Sequence, residues 1–460
     1  MRWTGPALRA AAVASACVAV AVGMRLSGAP AAMADSMALV VMAIGFWAGV
    51  LAEPLTGLLF LLGCVTIAGL DPEVVFSGFT SSAFWLIFAG VILSAAATRT
   101  GLSGWLAGRV LARRFGEMTY GARVALVVAF SAGLALILPS TLARVAILMP
   151  IVLALCDRAG YRVGGRGRTG LVLGAAIGTY ILPVSFLPAN LPNVVLAGSL
   201  ESLYRVTPTF GEYLLLHFPV VGAVKGAALV AILTLMFREA PSAAVSGSAA
   251  EPGLTGPGQR LTLVMAATLA LWSTDFLHHV SPAWVGLGAA LLILLPATRI
   301  LDLKEVPFNT ATPMLIYIGA VLGIGGVMAG SGAGAALSRQ IVEALPLAEA
   351  GDALRLGLLA MAATVTALVT TTPAAPAISA PFFADIAAQT GWTIEAVGMA
   401  QVLGYATPLM PYQLPPLMMA LAMTGVTMRE ATQTLLVLAV VTTPVTLTLA
   451  HFWWWALGWY

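Results

Sequence analysis

Long apolar stretches separated by short polar ones fill nearly the whole chain. A helix needs about 17–25 largely apolar residues to cross a bilayer. Unbroken stretches of that kind lie near 7–24, 36–51, 54–70, 83–98, 212–237, 261–277, 281–298, 312–330 and 431–457. Four further stretches, 119–156, 169–200, 354–388 and 394–424, each carry a short polar break. The breaks read L-P-S-T-L-A-R (Leu138 to Arg144), L-P-A-N-L-P-N (Leu187 to Asn193), V-T-T-T-P-A-A-P (Val369 to Pro376) and M-P-Y-Q-L-P-P (Met410 to Pro416). Unwound backbone at membrane depth is tolerated only where it is buried in protein or lines a water-filled cavity. The pattern predicts an all-α polytopic membrane protein of about 11 transmembrane helices plus two re-entrant hairpins, near 119–156 and 354–388.

The order of parts repeats. F-W-L-I-F-A-G-V-I-L-S (Phe84 to Ser94) parallels M-L-I-Y-I-G-A-V-L-G (Met314 to Gly323), and each is followed by a hairpin and then a broken helix. Ser140 stands ten residues before Pro150, and Thr371 ten before Pro381. Positive charge orients the halves, because Lys and Arg favour cytoplasmic loops. Arg99, Arg109, Arg113, Arg114 and Arg123 precede the first hairpin, and Arg158, Arg162, Arg166 and Arg168 follow it, so both its ends belong on the cytoplasmic side. Around the second, Arg339 and Arg355 face Asp385 and Glu395, so that hairpin enters from outside. Matching halves of opposite orientation form an inverted repeat. The expected division is 1–82 (N-terminal scaffold), 83–237 (first repeat), 238–260 (a Ser/Gly/Pro-rich cytoplasmic linker), 261–311 (linking helices) and 312–460 (second repeat).

Composition narrows the class. The chain is 60% hydrophobic and only 9% charged, with mean hydropathy +0.97. A soluble chain carries about 25% charged residues, so a soluble enzyme is excluded. The net charge of +3 is spread between apolar segments and is no nucleic-acid footprint. Cys17, Cys64 and Cys156 lie in apolar runs, and the four histidines fall at segment ends without ligand spacing. The basic start, the apolar run 10–24 and Ala32-Met33-Ala34 fit either a cleaved signal or a retained first helix, and an even topology favours the helix. Multi-pass insertion in the cytoplasmic (inner) membrane follows.

At the breaks the chain resembles the divalent anion/sodium symporter family of di- and tricarboxylate and sulfate carriers, within the wider ion-transporter superfamily. That family carries an S-N-T signature at each hairpin tip, ten residues before a proline, and a G-T-P-P-N-like loop in each following broken helix. The tips here read Ser140-Thr141-Leu142 and Thr371-Thr372-Pro373, without the asparagine or the third-position threonine. The loops read Ala189-Asn190-Leu191-Pro192-Asn193 and Gln413-Leu414-Pro415-Pro416-Leu417. The resemblance implies an anion carrier working by alternating access on a homodimeric scaffold, coupled to Na+. It also implies that backbone carbonyls of Ser140, Thr141, Ala189, Thr372 and Gln413 hold that Na+, with no other cofactor.

The residue types suit such chemistry. An anion leaving water needs donors, and the hydroxyls of Ser140, Thr141, Thr371 and Thr372 and the amides of Asn190, Asn193 and Gln413 supply them. Free helix N-termini at the breaks add partial positive charge. The same residues would serve equally as helix caps. Arg144, one turn beyond Ser140 in an apolar run, is costly at membrane depth. It is either a substrate ligand, a fixed cation standing in for one Na+, or a structural residue that bonds broken backbone or snorkels. Lys225 is similarly placed and would pair with substrate, a proton path or Glu53, or snorkel. A cation/proton or arsenite-type carrier would want a carboxylate at depth, and Glu53, Asp157, Asp275 and Asp385 lie near segment ends. An intramembrane enzyme would need a nucleophile with a base, or paired aspartates. A channel would want a carbonyl filter.

Overall fold

A computed structural model describes residues 6–47, 51–107, 109, 111, 115, 118–240, 253–334, 336–337, 347–370 and 372–460. Arg113, Arg114, Arg339, Thr371 and residues 241–252 of the expected linker lie outside the described residues. Every regular element among those described is helical. Helices α1 (Pro6–Leu26), α2 (Ala31–Trp47) and α3 (Glu53–Thr66) open the chain. The first repeat follows as α4 (Ser82–Arg99), α5 (Tyr120–Leu134), α6 (Thr141–Arg158), α7 (Arg166–Ile181), α8 (Leu191–Tyr204), α9 (Phe210–His217) and α10 (Ala223–Phe237). Helices α11 (Gly256–Ser273) and α12 (Pro282–Leu294) link it to the second. The second repeat holds α13 (Phe308–Gly330), α14 (Asp352–Val369), α15 (Ala374–Ser379), α16 (Phe383–Thr390), α17 (Ile394–Tyr405), α18 (Pro415–Thr424) and α19 (Met428–Leu457). Seven helical stretches among the described residues are long and apolar enough to cross a membrane.

Proline places the breaks. Proline lacks an N–H and disfavours helix in the residue before it. Helix α7 ends at Ile181 just before Pro183, two 3-10 turns carry Pro183–Ser185 and Leu187–Ala189, and α8 begins with Pro192 in its first turn, where a missing N–H is harmless. Helix α17 ends at Tyr405, a 3-10 turn spans Pro411–Gln413, and α18 begins at Pro415. The first tip is capped by Ser140, whose hydroxyl accepts from the Ala143 N–H at 3.3 Å.

Packing repeats with the elements. Helix α5 lies on α7 as α14 lies on α17. The tip helices cross over: α6 packs on α18 of the second half, and α15 packs on α8 of the first. Helix α7 is buried along almost its whole length, which puts it at the centre. Helix α13 presents Gly319, Gly323 and Gly326 to residues 74–79. A Cβ on Gly323 would stand 2.7 Å from the Val75 carbonyl oxygen, so the approach requires glycine.

Two boundaries differ from the sequence reading. Helix α11 starts at Gly256, inside the expected linker, because Thr255 caps it through the Gly258 N–H. The stretch 212–237 is not one regular helix: a π-turn over Phe218–Gly222, containing Pro219, separates α9 from α10. That places His217 inside a span rather than at its end, fully buried, with Nε2 3.5 Å from the Met399 sulfur.

Candidate substrate site

Both tips and both loops converge on one cavity of about 140 Å3. Pro139 to Leu142 of the first tip, Thr372 and Pro373 of the second, Asn190 to Pro192 of the first loop and Leu414 to Pro416 of the second line it. These are the starts of α6, α8 and α18, and the lead into α15. Each helix start carries N–H groups without an intrahelical partner and partial positive charge. Tyr180, four residues of α4 (Leu86, Ile87, Gly90, Val91) and Met314 of α13 complete the wall. Among the described residues, no Asp or Glu lines it.

The sequence-derived residues divide into two groups. Ser140, Thr141, Asn190 and Thr372 reach the cavity. The Thr141 hydroxyl donates to Asn190 Oδ1 at 3.3 Å, and Asn190 Nδ2 donates to the Tyr180 carbonyl at 3.0 Å. The Thr372 hydroxyl donates to the Gln413 carbonyl at 2.9 Å, tying the second tip to the second loop. Asn193 and Gln413 do not line the cavity. Asn193 Nδ2 donates to the carbonyls of Val184 and Phe186, both at 2.9 Å. Gln413 Oε1 accepts the Leu409 and Met410 N–H groups at 2.7 and 2.8 Å. Their amides therefore brace the unwound loops, whose backbone groups have no helical partners, instead of facing the cavity. Thr371 lies outside the described residues.

Arg144 is wholly buried behind the first tip. Its Nη1 donates to the Leu138 carbonyl at 2.8 Å and its Nε to the Thr179 hydroxyl at 3.0 Å. Its Nη2 lies 2.9 Å from the Ala189 carbonyl, 3.0 Å from the Thr179 carbonyl, and 3.1 Å from both Thr141 Oγ1 and Asn190 Oδ1. Of the roles open to it from sequence, snorkelling is ruled out by this burial. Lys225 is buried too, and its Nζ donates to the Ala406 carbonyl at 2.8 Å and to the Thr407 hydroxyl at 2.6 Å, at the end of α17, with no bond to Glu53. Asp275 is buried at the start of α9, where it accepts the Phe210 N–H.

The wall residues Leu86, Ile87, Val91 and Met314 escape sequence reading, since apolar side chains stand out from nothing in such a chain. Tyr180 had a signal, an aromatic seven residues before the break that opens at Leu187.

Residues 37–406 match the family model described as citrate transporter. The chain belongs to the citrate transporter family. It is thus a carrier rather than an enzyme, a multi-pass membrane protein of the secondary transporter type, in agreement with the resemblance read at the breaks. A curated membrane protein of Cupriavidus necator is 24% identical over 397 residues, covering 83% of this chain and 76% of that one. Among solved structures, the YdaH transporter of Alcanivorax borkumensis superposes with a TM-score of 0.58 at 17% identity, over 84% of this chain and 88% of that one. MtrF of Neisseria gonorrhoeae, described with a class of antimetabolite efflux pumps, gives 0.50 at 14% identity, over 82% and 83% of the two chains. At these identities the two structures speak for the fold alone.

Proposed function

We propose that this family member carries small anions, di- or tricarboxylates such as citrate, or sulfate, by alternating access across the inner membrane. One observation carries the reading: the starts of α6, α8 and α18 and the polar groups of Ser140, Thr141, Asn190 and Thr372 meet at a cavity lined, among the described residues, by no carboxylate. Helix N-termini and hydroxyl or amide donors replace the water an anion leaves behind. A cation carrier would place a carboxylate there. The tips act as re-entrant hairpins in an inverted repeat, and the scaffold pairs two copies into a homodimer. Na+ coupling belongs to the second half at most, because the Ala189 carbonyl of the first loop already accepts from Arg144.

The test is thermal stability of the purified protein across citrate, succinate, sulfate and chloride, in sodium and in choline salts. A ligand that binds only the folded state raises stability by RT ln(1 + [L]/Kd). A shift with a divalent or trivalent anion is expected. Stabilisation by cations with no anion responding would refute the proposal.

A further inference from the structure

The surroundings of Arg144 exceed what an ordinary arginine needs. Nη2 carries two N–H groups, yet four oxygens stand within 3.1 Å of it: two backbone carbonyls, one hydroxyl and one side-chain amide oxygen. The two carbonyls come from the last helical turn of α7 and the 3-10 turn in the loop beyond it (Thr179, Ala189), and the other two oxygens belong to cavity-lining residues (Thr141, Asn190). A closed shell of carbonyl and amide oxygens around one point is how a free hard cation is held. Unwound carbonyls and the ends of half-helices hold coupling cations in carriers built on broken helices. Among the described residues, none of the ion pairs includes Arg144, so a buried positive charge is balanced by oxygen dipoles alone. A second buried cation, Lys225 on α10 of the first half, reaches across to the Ala406 carbonyl just beyond the end of α17.

The geometry points to Arg144 as a tethered coupling cation. Its Nη2 fills an oxygen cage that a free monovalent cation would otherwise occupy, so the first half binds its share of the anion with no Na+. This rests on the anion-carrier reading above. Were the cage empty, a free cation would have to arrive before or with the anion to order Thr141 and Asn190. Here both already accept from a covalently attached cation, and the first half is permanently loaded.

The experiment measures Kd for citrate, or for the strongest binder of the anion panel if citrate is silent, by thermal shift as Na+ replaces choline. Wild type is expected to show a log Kd against log [Na+] slope no steeper than one. In Arg144→Ala the affinity in choline should fall by about tenfold or more, and Na+ or millimolar guanidinium should restore it by filling the emptied cage. Arg144→Lys keeps a tethered cation and should bind in choline. A wild-type slope near two overturns the inference while leaving the anion reading intact, and it decides the matter even if Arg144→Ala fails to fold. A folded Arg144→Ala that binds normally in choline, or that loses binding and is rescued by neither ion, also overturns it. No response to any anion sinks both readings together.

Discussion

At the residue scale, the site separates side chains that line the cavity from side chains that hold the backbone. Asn190 does both, since its Oδ1 faces Thr141 and Arg144 while its Nδ2 holds the Tyr180 carbonyl. Asn190→Ala should weaken anion binding by about tenfold or more, a loss of about 1.4 kcal/mol. Gln413→Ala should act differently. It removes the acceptor for two loop N–H groups and should cost about 1–3 kcal/mol of stability. Binding would then be retained when measured well below the melting temperature. Comparison of melting temperature with Kd for the two variants checks the division. Trp454 offers a contrast, because its indole N–H is buried without a partner among the described residues. Trp454→Phe frees the protein of that unpaired donor, and its unfolding free energy should fall by much less than the roughly 3–5 kcal/mol that a buried tryptophan loses on reduction to alanine, as denaturant unfolding would show.

At the element scale, close approach decides stability. The glycine face of α13 lies against residues 74–79 with no room for a side chain. Gly323→Val should destabilise by about 1–3 kcal/mol through overpacking, whereas Gly288→Ala on α12, which meets nothing within 4 Å, should leave thermal unfolding unchanged. The elements also mark how far the sequence could be read. The broken helices α7/α8 and α17/α18 were legible because Pro188, Pro192, Pro411 and Pro415 interrupt apolar runs, and proline acts locally. The π-turn after His217 was missed although Pro219 stands there, because the run around it stays apolar and long enough to span. The floor of the cavity was illegible for the opposite reason. Leu86, Ile87 and Met314 become site residues only through the tertiary approach of α4 and α13 to the tips, and nothing local distinguishes them.

At the scale of the whole molecule, the two halves interlock through their tips. Leu142 starts the first tip helix, is well exposed, and lines the cavity. In a Cys17→Ser background, which leaves only the buried Cys64 and Cys156, Leu142→Cys should react with a membrane-impermeant thiol reagent. A bound anion should slow that labelling several-fold. Labelling that is indifferent to every anion would separate the cavity from the transport path. The crossed packing of α6 on α18 and of α15 on α8 also bears on how the chain is made. The ribosome releases α6 long before α18 exists, so the first tip, with its buried guanidinium, must wait in the membrane for the last part of the message. A chain truncated before Pro415 should therefore be a quality-control substrate rather than a half-carrier, and the second half, supplied as a separate polypeptide, should rescue its lifetime.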